Sequence, residues 1–229
     1  MGILFKNCRL IEADAQNSSP GDIEAGGMFV ATDGKKISYV GAFRPDGNFE
    51  REIDCRGNLL TSGFYNLHCH AAMTMFRGYG ENLPLDEWLN TRIFPAEERL
   101  DAEKVKYASY MAIAEMIQNG IVSFSDSYFF CESTAEAVIS SGIKANLSRG
   151  MSSFDEGARA NAGDRRFSEF LNLYNEYDGA ADGRLKVDMC IHSEYTNVES
   201  YIRDLADFSA RNGLIIQVHM SETKKEHTE

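Results

Sequence analysis

From about Leu59 to the C-terminus the chain alternates short apolar runs with amphipathic helical stretches, which restricts it to βα units built on a parallel sheet. The strand-like runs fall at 60–68, 121–126, 143–149, 185–192 and 214–219. The clearest helix lies between the first two. Asp101 is placed to cap it, Val105, Ala108, Ala112 and Met116 form a stripe at helical spacing, and Gly120 ends it. Further helices are expected at 132–141, 166–177 and 198–211. Ahead of this pattern, residues 1–57 carry β-like runs at 3–5, 28–32 and 36–41, with turns at Ser19-Pro20-Gly21-Asp22 and Asp33-Gly34. A small β-domain over 1–57 followed by an α/β domain over 58–229 is the expected division.

Composition narrows the class. With 43% hydrophobic and 11% aromatic residues in 229, the chain can bury a sizeable core. It has no run of 18 apolar residues, and its N-terminus lacks a signal-peptide core, so the expectation is a cytoplasmic protein with no membrane partner. Five dispersed cysteines without Cys-x-x-Cys spacing read as reduced thiols. A formal charge of −12 repels phosphate backbones and argues against a nucleic-acid polymer as partner.

Chemistry gathers at the strand ends. In an extended strand the side chains at i and i+2 share a face, so His68 and His70 can grip one ion together. Asp126, Arg149, His192 and His219 also fall at or just past the ends of candidate strands, where the active site of a parallel barrel collects. Glu222, three residues beyond His219, can bring a carboxylate to water at a metal held by that histidine. An open metal site needs about three protein ligands. His68, His70 and His219 with Glu222 as proton carrier therefore outweigh the alternative of core histidines beside a loop glutamate. Cys69 is expected to face away and pack, Asp126 to cap or orient a neighbour, and His227 to be exposed.

The segment 62–78, Ser-Gly-Phe-Tyr-Asn-Leu-His-Cys-His-Ala-Ala-Met-Thr-Met-Phe-Arg-Gly, resembles the first-strand signature of the amidohydrolase superfamily. Asp86-Glu87-Trp88-Leu89, Ile93-Phe94-Pro95-Ala96-Glu97, Ser148-Arg149-Gly150, Ile191-His192-Ser193 and the run 218–226 extend the resemblance, in order and spacing, to its 5-methylthioadenosine/S-adenosylhomocysteine deaminase branch, beside the triazine chlorohydrolases. Ser62 stands where that family usually has proline, and the loop after Arg149 is shorter than in relatives.

The resemblance implies a (β/α)8 amidohydrolase barrel, of which about the first five βα units are present, with a small β-sandwich-type domain at the N-terminus. It implies one divalent metal ion, zinc or else iron, on His68, His70 and His219, with Glu222 moving protons. Trp88 would stack near the substrate, Glu97 would hold the ribose hydroxyls, and Arg149, Arg159 and His192 would line the pocket for the ribose and its 5′ substituent. Read without the family, Trp88 equally fills core, and Glu97 beside Glu98 and Arg99 is a solvated charged face. A lysine-bridged binuclear site is disfavoured because the fourth candidate strand ends in His192.

The expected reaction is hydrolytic release of ammonia from an adenine nucleoside. Other amino- or chloro-substituted heterocycles (guanine, a pterin, a triazine) and a non-catalytic binding module are the alternatives. A closed barrel has eight strands, so the sequence reads as a fragment or one chain of a split enzyme, needing its own C-terminal half, inactive alone, and homo-oligomeric when whole.

Overall fold

The computed structural model describes residues 2–10 and 27–228; the turn expected at 19–22 lies outside the described residues. The chain divides into two compact units, Met1–Gly63 and Phe64–Glu229.

In the first unit, β1 (Ile3–Leu10) pairs antiparallel with β2 (Met28–Asp33), which pairs with β3 (Lys36–Gly41). Gly34 supplies the positive φ of the β2–β3 turn, as a two-residue hairpin loop requires. On its other side β1 pairs parallel with β4 (Arg51–Asp54) and β5 (Leu59–Leu60). Strand β4 escapes a hydropathy reading because three of its four residues are charged. Leu4, Cys8, Val30 and Ala31 are the buried centre of the unit.

The second unit is a parallel sheet in the order β11-β10-β8-β7-β6, with β9 beside β8. Its strands are β6 (Phe64–Cys69), β7 (Ile121–Tyr128), β8 (Lys144–Met151), β9 (Leu185–Val187), β10 (Met189–Ser193) and β11 (Ile216–His219). Helices Ala102–Gln118, Cys131–Ser141, Arg165–Tyr177 and Glu199–Asn212 connect them. His68 on β6 lies within 3.2 Å of His219 on β11, although these are the two outer strands, so the sheet curls into an arc. Helices cover one face of the arc and bury Phe124, Leu147 and Met151 with Phe170, Leu173 and Leu205. The other face is polar, with Ser125, Ser127 and Gln217 beneath the histidines and Gln217 Nε2 donating to Ser148 Oγ at 2.8 Å.

Local chemistry sets the element ends. Asp101 caps its helix by accepting the Lys104 backbone N–H at 2.9 Å, an interaction worth about 1 kcal/mol. Gly142, at φ +86°, stops Cys131–Ser141 in the left-handed conformation that glycine takes without a Cβ clash. The run 185–192 is two strands because Asp188 interrupts it. Buried, Asp188 accepts Asn146 Nδ2 at 2.9 Å and the Ile215 backbone N–H at 3.0 Å, tying the entry of β11 to β8. No helix among the described residues is long and apolar enough to cross a membrane.

Candidate metal and catalytic site

Three imidazoles converge at the C-terminal ends of β6 and β11. His219 Nε2 lies 3.2 Å from both His68 Nε2 and His70 Nε2. The ligand atoms of this trio are all within 4.8 Å of one another. Two nitrogens bound to one tetrahedral ion at ~2.05 Å are separated by ~3.3 Å, so the trio has the spacing of a common ion's ligands.

The backbone has already chosen the tautomers. His70 Nδ1 lies 2.6 Å from the Ser127 carbonyl and His219 Nδ1 lies 2.8 Å from the His192 carbonyl. A carbonyl only accepts, so the ring proton sits on each Nδ1 and the Nε2 lone pairs face inward. Burial lowers the pKa of His70, and the neighbouring His219 and His68 lower it further. His192 is pushed down to about 4, first by burial and then by His219 and His70. Its Nδ1 is held by Thr196 Oγ1 at 3.0 Å and Ser193 Oγ at 3.2 Å, and its ring centroid is 5.0 Å from that of His219.

Glu222 is exposed and accepts the Tyr195 hydroxyl on Oε2 at 2.9 Å. Burial and this bond raise the Tyr195 pKa to about 12, so it remains a donor at neutral pH. Ser221 at φ +56° turns the chain, and Thr223 and Glu226 then form a capping box that starts the helix Lys224–Thr228. Glu222 is thereby held between a strand end and a helix start.

Glu97 is half-buried and accepts the Tyr128 hydroxyl at 2.8 Å, so it does not belong to a solvated charged face. Burial raises its pKa, against the opposing effect of that bond. Tyr128 in turn packs 6.3 Å from the His70 ring, linking Glu97 to the histidines. Tyr128 and Tyr195 were not singled out from sequence. Their signal was position alone, one closing β7 and the other three residues past His192.

Arg149 and Arg159 come together elsewhere. Arg149 sits next in β8 to Ser148, which bonds Gln217 on the inner face, so Arg149 turns to the helical side. There its Nε donates to Glu169 at 2.8 Å and its guanidinium lies 5.0 Å over the Phe129 ring. With exposed Arg159 it lines an open cavity of about 780 Å³ that also includes Arg165 and Arg166. A second cavity of about 440 Å³ lies under His68, His70 and His219 and contains neither arginine. Half-buried Trp88 has its Cδ1 close against Gly80. Cys69 packs on the core and His227 is exposed.

Asp126 is 2% exposed and accepts the Ala71 backbone N–H at 2.7 Å, fixing the chain directly after His70. Burial pushes its pKa up from 3.8 to about 7. A raised carboxyl contributes stability that is complete below pH 3.8 and lost as pH rises to about 7; His192, depressed from 6.5 to about 4, contributes stability complete above 6.5 and lost as pH falls to 4. In metal-free protein, Asp126→Asn removes only the first contribution. The melting temperature of the variant relative to the parent is therefore expected to climb between pH 5 and pH 8, and a difference that does not change with pH would refute the assignment.

Comparison with known proteins bears on this geometry. The model of the Amidohydrolase family matches residues 59–229. A 5-methylthioadenosine/S-adenosylhomocysteine deaminase of Pelotomaculum thermopropionicum is 38% identical over 206 residues, covering 90% of this chain and 46% of that protein. A 5′-deoxyadenosine deaminase of Methanosarcina acetivorans is 37% identical over 224 residues, covering 98% and 50%. Among solved structures, an atrazine chlorohydrolase from Arthrobacter aurescens complexed with zinc superposes with TM-score 0.81 at 21% identity, covering 96% of this chain and 53% of its own. A guanine deaminase from C. acetobutylicum gives TM-score 0.81 at 22% identity, covering 99% and 54%. The structural likenesses establish the fold. The chain spans about half the length of the curated relatives it matches.

Proposed function

The chain belongs to the amidohydrolase family, and on that premise we propose that it contributes the metal-binding half of a hydrolytic deaminase acting on an adenine nucleoside such as 5-methylthioadenosine or S-adenosylhomocysteine. The observation that carries this reading is the convergence of three Nε2 atoms, two pairs of them at 3.2 Å, with the Glu222 charge acting on His70 and His192. An all-imidazole donor set suits zinc and also iron(II). His68, His70 and His219 would hold the ion. When bound, such an ion supplies a Lewis acid that lowers the pKa of water from about 15.7 to about 7.

The chain's own groups do the rest. Glu222, with Oε2 engaged by Tyr195, takes up a proton on Oε1 and returns it to the ring nitrogen beside the amino-bearing carbon, so that ammonia departs. His192, neutral at working pH, orients the purine without repelling the cation. Glu97, steadied on one oxygen by Tyr128, offers the other to the ribose hydroxyls. Trp88 stacks near the base. Arg149 and Arg159, in their own cavity on the helical side of the sheet, are given no contact with the substrate in this reading.

In the same reading the N-terminal residues 1–57 are part of a β-sandwich-like domain and 58–229 the first part of a (β/α)8 barrel. The protein is cytoplasmic, is homo-oligomeric when whole, and has neither a nucleic-acid polymer nor a membrane as partner. In this reading further βα units complete the barrel.

A substrate panel tests the proposal. Zinc-loaded protein comprising this chain and those remaining units is expected to release ammonia from 5-methylthioadenosine, S-adenosylhomocysteine and 5′-deoxyadenosine. Release from guanine, a pterin or a chlorotriazine in preference to all three nucleosides would overturn the assignment.

A further inference from the structure

We propose that Cys8 and Cys55 form a reversible disulfide site in the first unit, closed by exchange with a low-molecular-weight disulfide. Their sulfurs are 3.4 Å apart, in a stretch of backbone folded to bring them together. The parallel register of β1 and β4 sets Lys6 opposite Asp54, and its simple continuation would set residue 8 opposite residue 56. Instead Asn7 at φ +55° and Arg56 at φ +52° take the left-handed conformation, which breaks the alternation and turns residues 8 and 55 toward each other. Non-glycine residues adopt that conformation at a cost, so both must be held in it.

A clasp of hydrogen bonds holds them. The Cys55 N–H donates to Lys6 O at 2.8 Å, the Gly57 N–H to Asn7 O at 2.8 Å, and the Arg9 N–H to Asn58 O at 3.0 Å. Asp54 Oδ1 accepts both Asn7 Nδ2 and the Arg56 backbone N–H at 2.9 Å. The backbone on either side of each cysteine is thereby tied. Closing the gap to the ~2.05 Å of a disulfide brings the sulfurs about 1.4 Å nearer to each other.

Exposure sets the order of events. Cys8 is fully buried, whereas Cys55 is half-exposed. Burial, with Cys55 beside it, pushes the Cys8 thiol up to about 12. The Cys55 thiolate attacks one sulfur of glutathione disulfide and expels one glutathione thiolate, which takes up a proton. Cys8 then loses its proton, attacks Cys55 Sγ and expels the second glutathione. Two protein thiols are oxidised and one disulfide is reduced to two thiols. The buried Cys131 and Cys190 have other partners, Tyr128 O at 3.3 Å and Ser127 Oγ at 2.9 Å.

Incubating the reduced full chain with glutathione disulfide tests this. The intact mass should fall by two hydrogens, and a non-reducing peptide map should join the peptide of Cys8 to that of Cys55, reversibly with dithiothreitol. Because the cross-link closes a loop of roughly 50 residues, the melting temperature of the first unit should rise by on the order of 10 °C. Cys55→Ser should abolish both the link and the rise. A persistent glutathione adduct on Cys55 without the internal link, or a link through any other cysteine, overturns the proposal; the map of the unmutated chain decides this even if the variant misfolds.

Discussion

Replacing His219 by alanine is expected to weaken zinc binding by at least 10³-fold, as measured by competition with a chromophoric chelator. His219 is the common member of both 3.2 Å pairs, so its loss leaves His68 and His70, whose ring centroids lie 5.6 Å apart, without the atom that joins them. Losing even an outer-shell partner of a ligand typically costs 10–100-fold in metal affinity, and losing the ligand itself costs more. Glu222→Gln is the matching control. It should bind zinc with the parent affinity and, in protein completed by the remaining βα units, lower the proposed turnover about 10²- to 10⁴-fold, the usual range for a general acid–base group. Zinc bound stoichiometrically and with unchanged affinity by the His219 variant would remove the basis of the proposed chemistry. The pH dependence of binding adds a check. Ligating histidines must be neutral, and the lowered pKa of His70 should let binding persist below the pH at which free imidazole protonates, near 6.5.

Phe170→Ala should destabilise the second unit by about 4 kcal/mol and lower its melting temperature by roughly 10 °C. The ring is 0% exposed. It stacks on Tyr174 at 6.0 Å, meets Phe208 edge-on at 5.9 Å, and lies 6.0 Å from Phe167. These three rings come from helices Arg165–Tyr177 and Glu199–Asn212, so the cavity opens where two helices share one packing surface and neither can close it alone. Phe43→Ala, at a ring 81% exposed in the first unit, is the comparison and should be nearly neutral. Equal effects of the two substitutions, read by urea or thermal unfolding, would contradict this account of the core.

Much of the second unit is legible in the sequence because its signals are local. The Asp101 cap, the stripe from Val105 to Met116 and Gly120 each act within a few residues of themselves, and the helix ends close to where they indicate. What escapes is set by distant contacts. Asp188 sits in an apolar run that reads as one strand, and only Asn146 and Ile215, far away in sequence, turn it into a node that splits the run. Glu97 looks solvated beside Glu98 and Arg99 until Tyr128, 31 residues on, donates to it. The convergence of His68, His70 and His219 was readable from strand-end placement, since parallel strands deliver their C-terminal residues to one rim. Arg149 lies at the same rim, yet its alternation in β8 points it to Glu169. Strand-end position foretells the rim a residue reaches, and parity foretells the side it faces.

The curl of the parallel sheet ends in β6 and β11, which among the described residues pair with a neighbour on one side only. These strands carry Leu67 at 77% exposure and Val218 at 46%, so each offers apolar side chains at the surface. Such margins recruit whatever extended polypeptide is at hand. Handled at high concentration without a capping partner, this polypeptide should self-associate through them, and light scattering that grows with concentration and subsides when Leu67 is changed to lysine would be the laboratory sign of that stickiness.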